Sequence, residues 1–176
     1  MTIASYVSLL RIILIIPIIF FLEISKEYAA LIIFIVAGLT DYADGYIARK
    51  TNKETSLGAL LDLLADKLFV CIILVWCALI SKSLLVMCPS MIIISRELII
   101  SSVRQFLVEN TGKNPIKVTN IARSKTTMQI VAISFLIVSP KMGPYFKLIS
   151  IILLWAAALI SLYSLFNYLK SYREYF

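Results

Sequence analysis

Six stretches of the chain are almost uninterrupted in apolar side chains, near 7–22, 28–48, 57–80, 84–108, 119–139 and 146–169. Each approaches the roughly 20 residues that a helix needs to cross a bilayer. The pattern predicts an all-α polytopic membrane protein with six transmembrane helices in one domain, 1–176. It contains no long linker, low-complexity tract or internal repeat. The first run has the length of a secretory signal, but Arg11 lies inside it and no small-x-small cleavage site follows, so it is expected to be retained.

Composition agrees. With 61% hydrophobic and 15% charged residues and a mean hydropathy of +0.95, the expected solvent is lipid. The charges are unevenly placed along the chain. Arg49, Lys50, Lys53, Lys113, Lys117, Lys170 and Arg173 fall on one side of a six-span arrangement, and Lys26, Lys82, Lys141 and Lys147 on the other. Positive residues favour the cytoplasmic side, so both termini and the connections 49–57 and 109–118 are expected there, in a bacterial inner membrane. The net charge of +7 then serves topology alone, or also draws anionic substrates or lipids to that leaflet.

The three cysteines form no C-x-x-C pair and there is no histidine, which excludes a disulfide framework, a zinc site and any histidine-based nucleophile scheme. Acid and base work falls to carboxylates, Lys or Tyr. All four aspartates lie between Thr40 and Lys67: Asp41 and Asp44 three apart, Asp62 and Asp66 four apart. At those spacings each pair shares a helix face, and a short connection makes the two helices antiparallel neighbours. Gly45, Ala48 and Gly58 line the same faces and permit close approach. Four carboxylates so close repel strongly. They are either neutralised by Arg49, Lys50 and Lys67 as a salt-bridge cluster, or they hold hard divalent cations, the preferred reading for an all-oxygen set. Two metals bridged by carboxylates are a recurrent means of displacement at phosphorus. A cation transporter would use such acids too, although no inverted repeat supports it.

The pattern D-x-x-D-G-x-x-A-R-x8-G-x3-D-x3-D is filled at all eight positions by Asp41, Asp44, Gly45, Ala48, Arg49, Gly58, Asp62 and Asp66. This resembles the CDP-alcohol phosphatidyltransferase family. The resemblance implies a six-helix membrane enzyme, usually a homodimer, with a site open to the cytoplasm that binds two Mg²⁺ or Mn²⁺ ions. Carried onto this chain, Asp41, Asp44, Asp62 and Asp66 ligate the metals and Asp66 is also the general base. Asp44, Gly45, Ala48, Arg49 and Gly58 shape the cytidine diphosphate pocket. Thr55 can add a hydroxyl to the same phosphates.

The acceptor must be read from the rest of the chain. Arg96 and Arg104 stand in an otherwise apolar fourth span, where a charge is costly, with Glu97 available to balance one of them. Arg123 and Lys125 follow at the entry to the fifth, either as positive-inside anchors or as part of a cationic pocket for a phosphate ester. Ser95, Arg96, Glu97, Arg104, Lys125, Thr126 and Gln129 resemble the phosphatidylglycerophosphate synthase branch of the family. That implies transfer of a phosphatidyl group from CDP-diacylglycerol to glycerol 3-phosphate. Inositol phosphate, phosphatidylglycerol and serine are the alternative acceptors. Ser5, Ser8 and Arg11 stand where the branch has Asn-x-x-Thr-x-x-Arg, and Leu63 where a proline is usual.

Overall fold

The computed structural model describes the backbone of residues 3–51, 56–111 and 120–171. Side chains are described over 6–40, 60–61, 63–109 and 126–170, together with Gly58. These residues form six helices: α1 (Ile3–Glu23), α2 (Glu27–Thr51), α3 (Ser56–Ser81), α4 (Leu84–Thr111), α5 (Asn120–Val138) and α6 (Pro144–Ser171). The bounds differ from the apolar runs by a few residues, because polar residues at the ends extend the helices beyond their oily cores.

On α1, Ile15, Ile18 and Leu22 are buried while Ile13, Ile16 and Phe20 are exposed. A helix apolar on both faces has no side suited to water. Among the described residues, four segments are long and apolar enough to cross a membrane: Tyr6–Glu23, Leu63–Ser81, Leu84–Glu109 and Pro144–Lys170. The apolar stretches Glu27–Thr40 of α2 and Thr126–Val138 of α5 are shorter.

Helix α1 packs on α2 and α3, and α6 packs on α4 and α5, while α3 touches α4 and α5 and α2 touches α5. Helices α2 to α5 therefore form a central group flanked by α1 and α6. The core of the bundle includes Phe34, Phe69, Ile73, Leu74, Ile93, Ile133, Ile137 and Leu154. Three tight turns reverse the chain at one end of the bundle, and each contains a left-handed residue: Ser25 (φ 54°), Lys82 (φ 46°) and Gly143 (φ 85°). At the first, the Lys26 N–H donates to the Phe21 carbonyl at 2.8 Å, the long bond that closes a helix on a left-handed residue. Pro89 lies within α4 and has no N–H for the Leu85 carbonyl four residues back. The Trp155 indole of α6 donates to that carbonyl at 3.0 Å.

Two registers matter for function. Phe34 of α2 stacks on Phe69 of α3, with centroids 5.2 Å apart and planes at 6°. Counting seven residues from Phe34 toward the end of α2 reaches Asp41. Counting seven from Phe69 toward the start of α3 reaches Asp62. At about 1.5 Å of rise per residue, the backbones of these two positions lie level on antiparallel helices. Likewise the two-residue turn 82–83 between α3 and α4 sets the 96–104 segment of α4 alongside the 61–69 segment of α3, which carries Asp62 and Asp66. Leu63 leaves α3 an uninterrupted helix.

Phe69→Ala is expected to cost about 3 kcal/mol, since it empties a fully packed position and loosens the α2/α3 register. Unfolding in mixed micelles, followed by tryptophan fluorescence, measures the loss.

Candidate active site

Asp66, one turn before Phe69, accepts a hydrogen bond and ion pair from Nη1 of Arg11 on α1. Arg11 is 2% exposed and Asp66 48% exposed, so a buried cation holds a carboxylate that still reaches solvent. Of the salt-bridge cluster expected without metal, the side chains of Arg49 and Lys50 lie outside the described residues, and Arg11 is one partner of Asp66. Arg11 is 55 positions away, and only the packing of α1 on α3 brings the two together.

Of the four cations expected to hold the acceptor, Arg96 and Arg104 lie on α4. Arg96 is buried at 7% exposure. Its Nη1 lies 3.3 Å from Oε1 of Glu97, and its Nη2 donates to Oγ of Ser164 on α6 at 2.9 Å. Glu97 is thus a partner of Arg96, as its position beside it suggested. Arg104 stands two turns further along α4, with its Nε buried and without a partner. Lys67 of α3 feels the charges of Glu97, Arg104 and Arg96. Arg96 and Glu97 pair within α4, and Arg104 and Lys67 add two further positive charges on the facing segments of α4 and α3.

A second layer escaped the sequence reading. Gln129 of α5, buried, donates to Oγ of the fully buried Ser161 on α6 at 3.2 Å and lies 3.5 Å from Oε1 of Glu97. Gln129 was legible only through a motif. Ser161 and Ser164 look like small fillers in an apolar helix, and nothing in their spacing distinguishes them.

Asp41, Asp44, Gly45, Ala48 and Arg49 lie on α2, Asp62 on α3, and Arg123 and Lys125 on α5, but their side chains lie outside the described residues, as does the whole of Thr55. Gly58 is buried near the start of α3. Among the described residues no group of three or more metal-ligating side chains stands together, since three of the four aspartates are not in that set. A cavity of about 230 Å³ opens among Glu27, Ser81, Ser139 and Lys147. It lies at the end with the three tight turns, away from Asp66.

The profile of the CDP-alcohol phosphatidyltransferase family matches residues 1–163. The chain belongs to the CDP-alcohol phosphatidyltransferase family. It is 36% identical over 178 residues to a CDP-diacylglycerol–glycerol-3-phosphate 3-phosphatidyltransferase of Rickettsia bellii (strain RML369-C), covering 98% of this chain and 96% of the relative. Enzymes with the same name from Escherichia coli (strain K12) and Rickettsia felis (strain ATCC VR-1525 / URRWXCal2) are 36% and 34% identical. The first match covers 97% of this chain and 94% of the relative, the second 98% and 96%. As a phosphatidyltransferase, the chain must bring a nucleotide-activated alcohol phosphate and an acceptor hydroxyl to one phosphorus. The acid-bearing segment of α3 and the cationic segment of α4 run side by side.

Arg11→Met is expected to destabilise this phosphatidyltransferase by about 1–2 kcal/mol, discounted from a fully buried pair because Asp66 is half exposed. Thermal unfolding in detergent, with Arg11→Lys retaining part of the loss, checks it.

Proposed function

We propose that the protein transfers the phosphatidyl group of CDP-diacylglycerol to glycerol 3-phosphate, giving phosphatidylglycerophosphate and CMP. The observation that carries this reading is the excess of buried and half-buried cations, Arg96, Arg104 and Lys67 against Glu97, beside the α3 segment that carries Asp62 and Asp66. A neutral or zwitterionic acceptor does not call for such a region, whereas a phosphate monoester does. The names of the relatives support the same acceptor.

The donor set fits a divalent cation. It is all carboxylate oxygen, and Asp66 already faces a positive group in Arg11. In this reading Asp41, Asp44, Asp62 and Asp66 would hold two Mg²⁺ or Mn²⁺ ions, which would supply positive charge to the pyrophosphate and acidify a nearby hydroxyl. Gly45, Ala48 and Gly58 leave room for the cytidine, while Arg49 and Thr55 donate to its phosphates. Arg96, Arg104, Arg123 and Lys125 hold the acceptor phosphate. Asp66 takes the proton of the glycerol 3-phosphate 1-hydroxyl as that oxygen bonds to the phosphorus bearing diacylglycerol. The bond from this phosphorus to the bridging oxygen breaks, and CMP leaves with that oxygen. Fixed cations around the phosphoryl oxygens need no reorganisation as charge builds there.

All six helices cross the membrane in this reading. The aspartate end and both termini face the cytoplasm of a bacterial inner membrane, and the enzyme works as a homodimer.

The deciding assay offers purified protein CDP-diacylglycerol with glycerol 3-phosphate, inositol phosphate, phosphatidylglycerol or serine, and identifies the lipid formed. Phosphatidylglycerophosphate with metal-dependent CMP release is expected. Release of no CMP with any acceptor would return the aspartates to an ion-transport role. Asp66→Asn is expected to abolish turnover while CDP-diacylglycerol still binds, and Asp41→Asn to weaken Mn²⁺ binding as well, read by electron paramagnetic resonance. Full activity in both variants removes these roles. Arg104→Ala is expected to raise KM for glycerol 3-phosphate by about tenfold or more, the size of one lost charged hydrogen bond, with a smaller change for CDP-diacylglycerol.

A further inference from the structure

The polar contacts around Arg96 form a circuit that starts and ends on one helix. Ser164 of α6 accepts from Nη2 of Arg96 at 2.9 Å. Nη1 of Arg96 faces Glu97 at 3.3 Å. Gln129 of α5 approaches Glu97 at 3.5 Å and donates at 3.2 Å to Ser161. Ser161 and Ser164 are three residues apart on α6 and so share a face.

Such a circuit is expensive to keep. Arg96, Gln129 and Ser161 are at least nine-tenths buried in helices whose other side chains are mostly apolar, and each polar group there must find a partner. A network that served only to glue helices would satisfy all its members. This one does not, because Nε of Arg96 is buried and has no acceptor among the described residues. Glu97 on the same helix and Ser164 on α6 hold the guanidinium plane, and the buried Nε–H keeps an unmet donor that a ligand oxyanion entering beside it would satisfy.

We infer that Ser164, together with the Gln129–Ser161 pair acting through Glu97, positions Arg96 so that its open N–H receives the phosphate of the acceptor. Ser164, Gln129 and Ser161 are positioning residues; they touch Arg96 and Glu97 and not the substrate. Helix α6, which carries none of the eight residues of the aspartate pattern, thereby helps set which acceptor is used. A phosphate monoester is the ligand class, because a planar guanidinium held at two points offers its remaining edge to a tetrahedral oxyanion. The inference rests on the reading that glycerol 3-phosphate is the acceptor.

The test compares KM for glycerol 3-phosphate, KM for CDP-diacylglycerol and kcat in the wild type, Ser164→Ala, Ser164→Thr and Gln129→Met, all in the same mixed micelles. Ser164→Ala is expected to raise KM for glycerol 3-phosphate about tenfold, as for a lost hydrogen bond to a charged group. Its KM for CDP-diacylglycerol should stay unchanged. Ser164→Thr restores the hydroxyl and the affinity, and Gln129→Met shifts the same constant in the same direction. An unchanged glycerol 3-phosphate KM in Ser164→Ala and Gln129→Met overturns the inference while leaving the proposed reaction standing. So does a parallel rise of both constants with falling kcat, which marks a purely structural role. A wild type that forms no phosphatidylglycerophosphate overturns the reaction and the inference together.

Discussion

A guanidinium buried among apolar helices calls for an acceptor, and for Arg11 and Arg96 a neighbouring helix helps to supply it. Arg11 on α1 is met by Asp66 on α3, and Arg96 on α4 by Glu97 beside it and Ser164 on α6. Apolar packing alone lets helices slide and rotate at little cost, because lipid is as oily as leucine. Buried ionic contacts do not. An ion pair holds α1 to α3, and a hydrogen bond from a charged donor holds α6 to α4.

Helix α3 carries the consequence. Adjacent residues on a helix point about 100° apart, so Asp66 can meet α1 while Lys67 turns toward the charges of α4. One helix thus presents an acid to one neighbour and a base to another. It packs against both α1 and α4, so the two charges face different helices.

The helices themselves were legible. The run near 84–108 became Leu84–Thr111 and that near 28–48 became Glu27–Thr51, since long apolar stretches leave the backbone one way to satisfy its hydrogen bonds in lipid. The pairing of Glu97 with Arg96 could be read because the two are neighbours in sequence. Arg11 with Asp66 could not, since a contact across 55 residues depends on which helix lies next to which. Ser161 and Ser164 were hidden by their ordinariness; serine in an apolar helix reads as a small spacer until its hydroxyl is seen facing a charge. The aspartate pattern pointed to a family, and the match over residues 1–163 agrees. Of the four side chains in it, only that of Asp66 lies among those described.

The turn at residues 82–83 is the sole covalent link between the half bearing the aspartates and the half bearing Arg96 and Arg104, and it lies at the far end of the bundle from both. Chain connectivity therefore does little to hold the two sets of charges at their working separation. That gap is kept by side chains meeting across α3 and α4, as the arms of a pair of tweezers joined only at the back are kept at a given opening by whatever presses on them. Whatever alters the lateral pressure of a surrounding bilayer therefore acts on the spacing of α3 and α4.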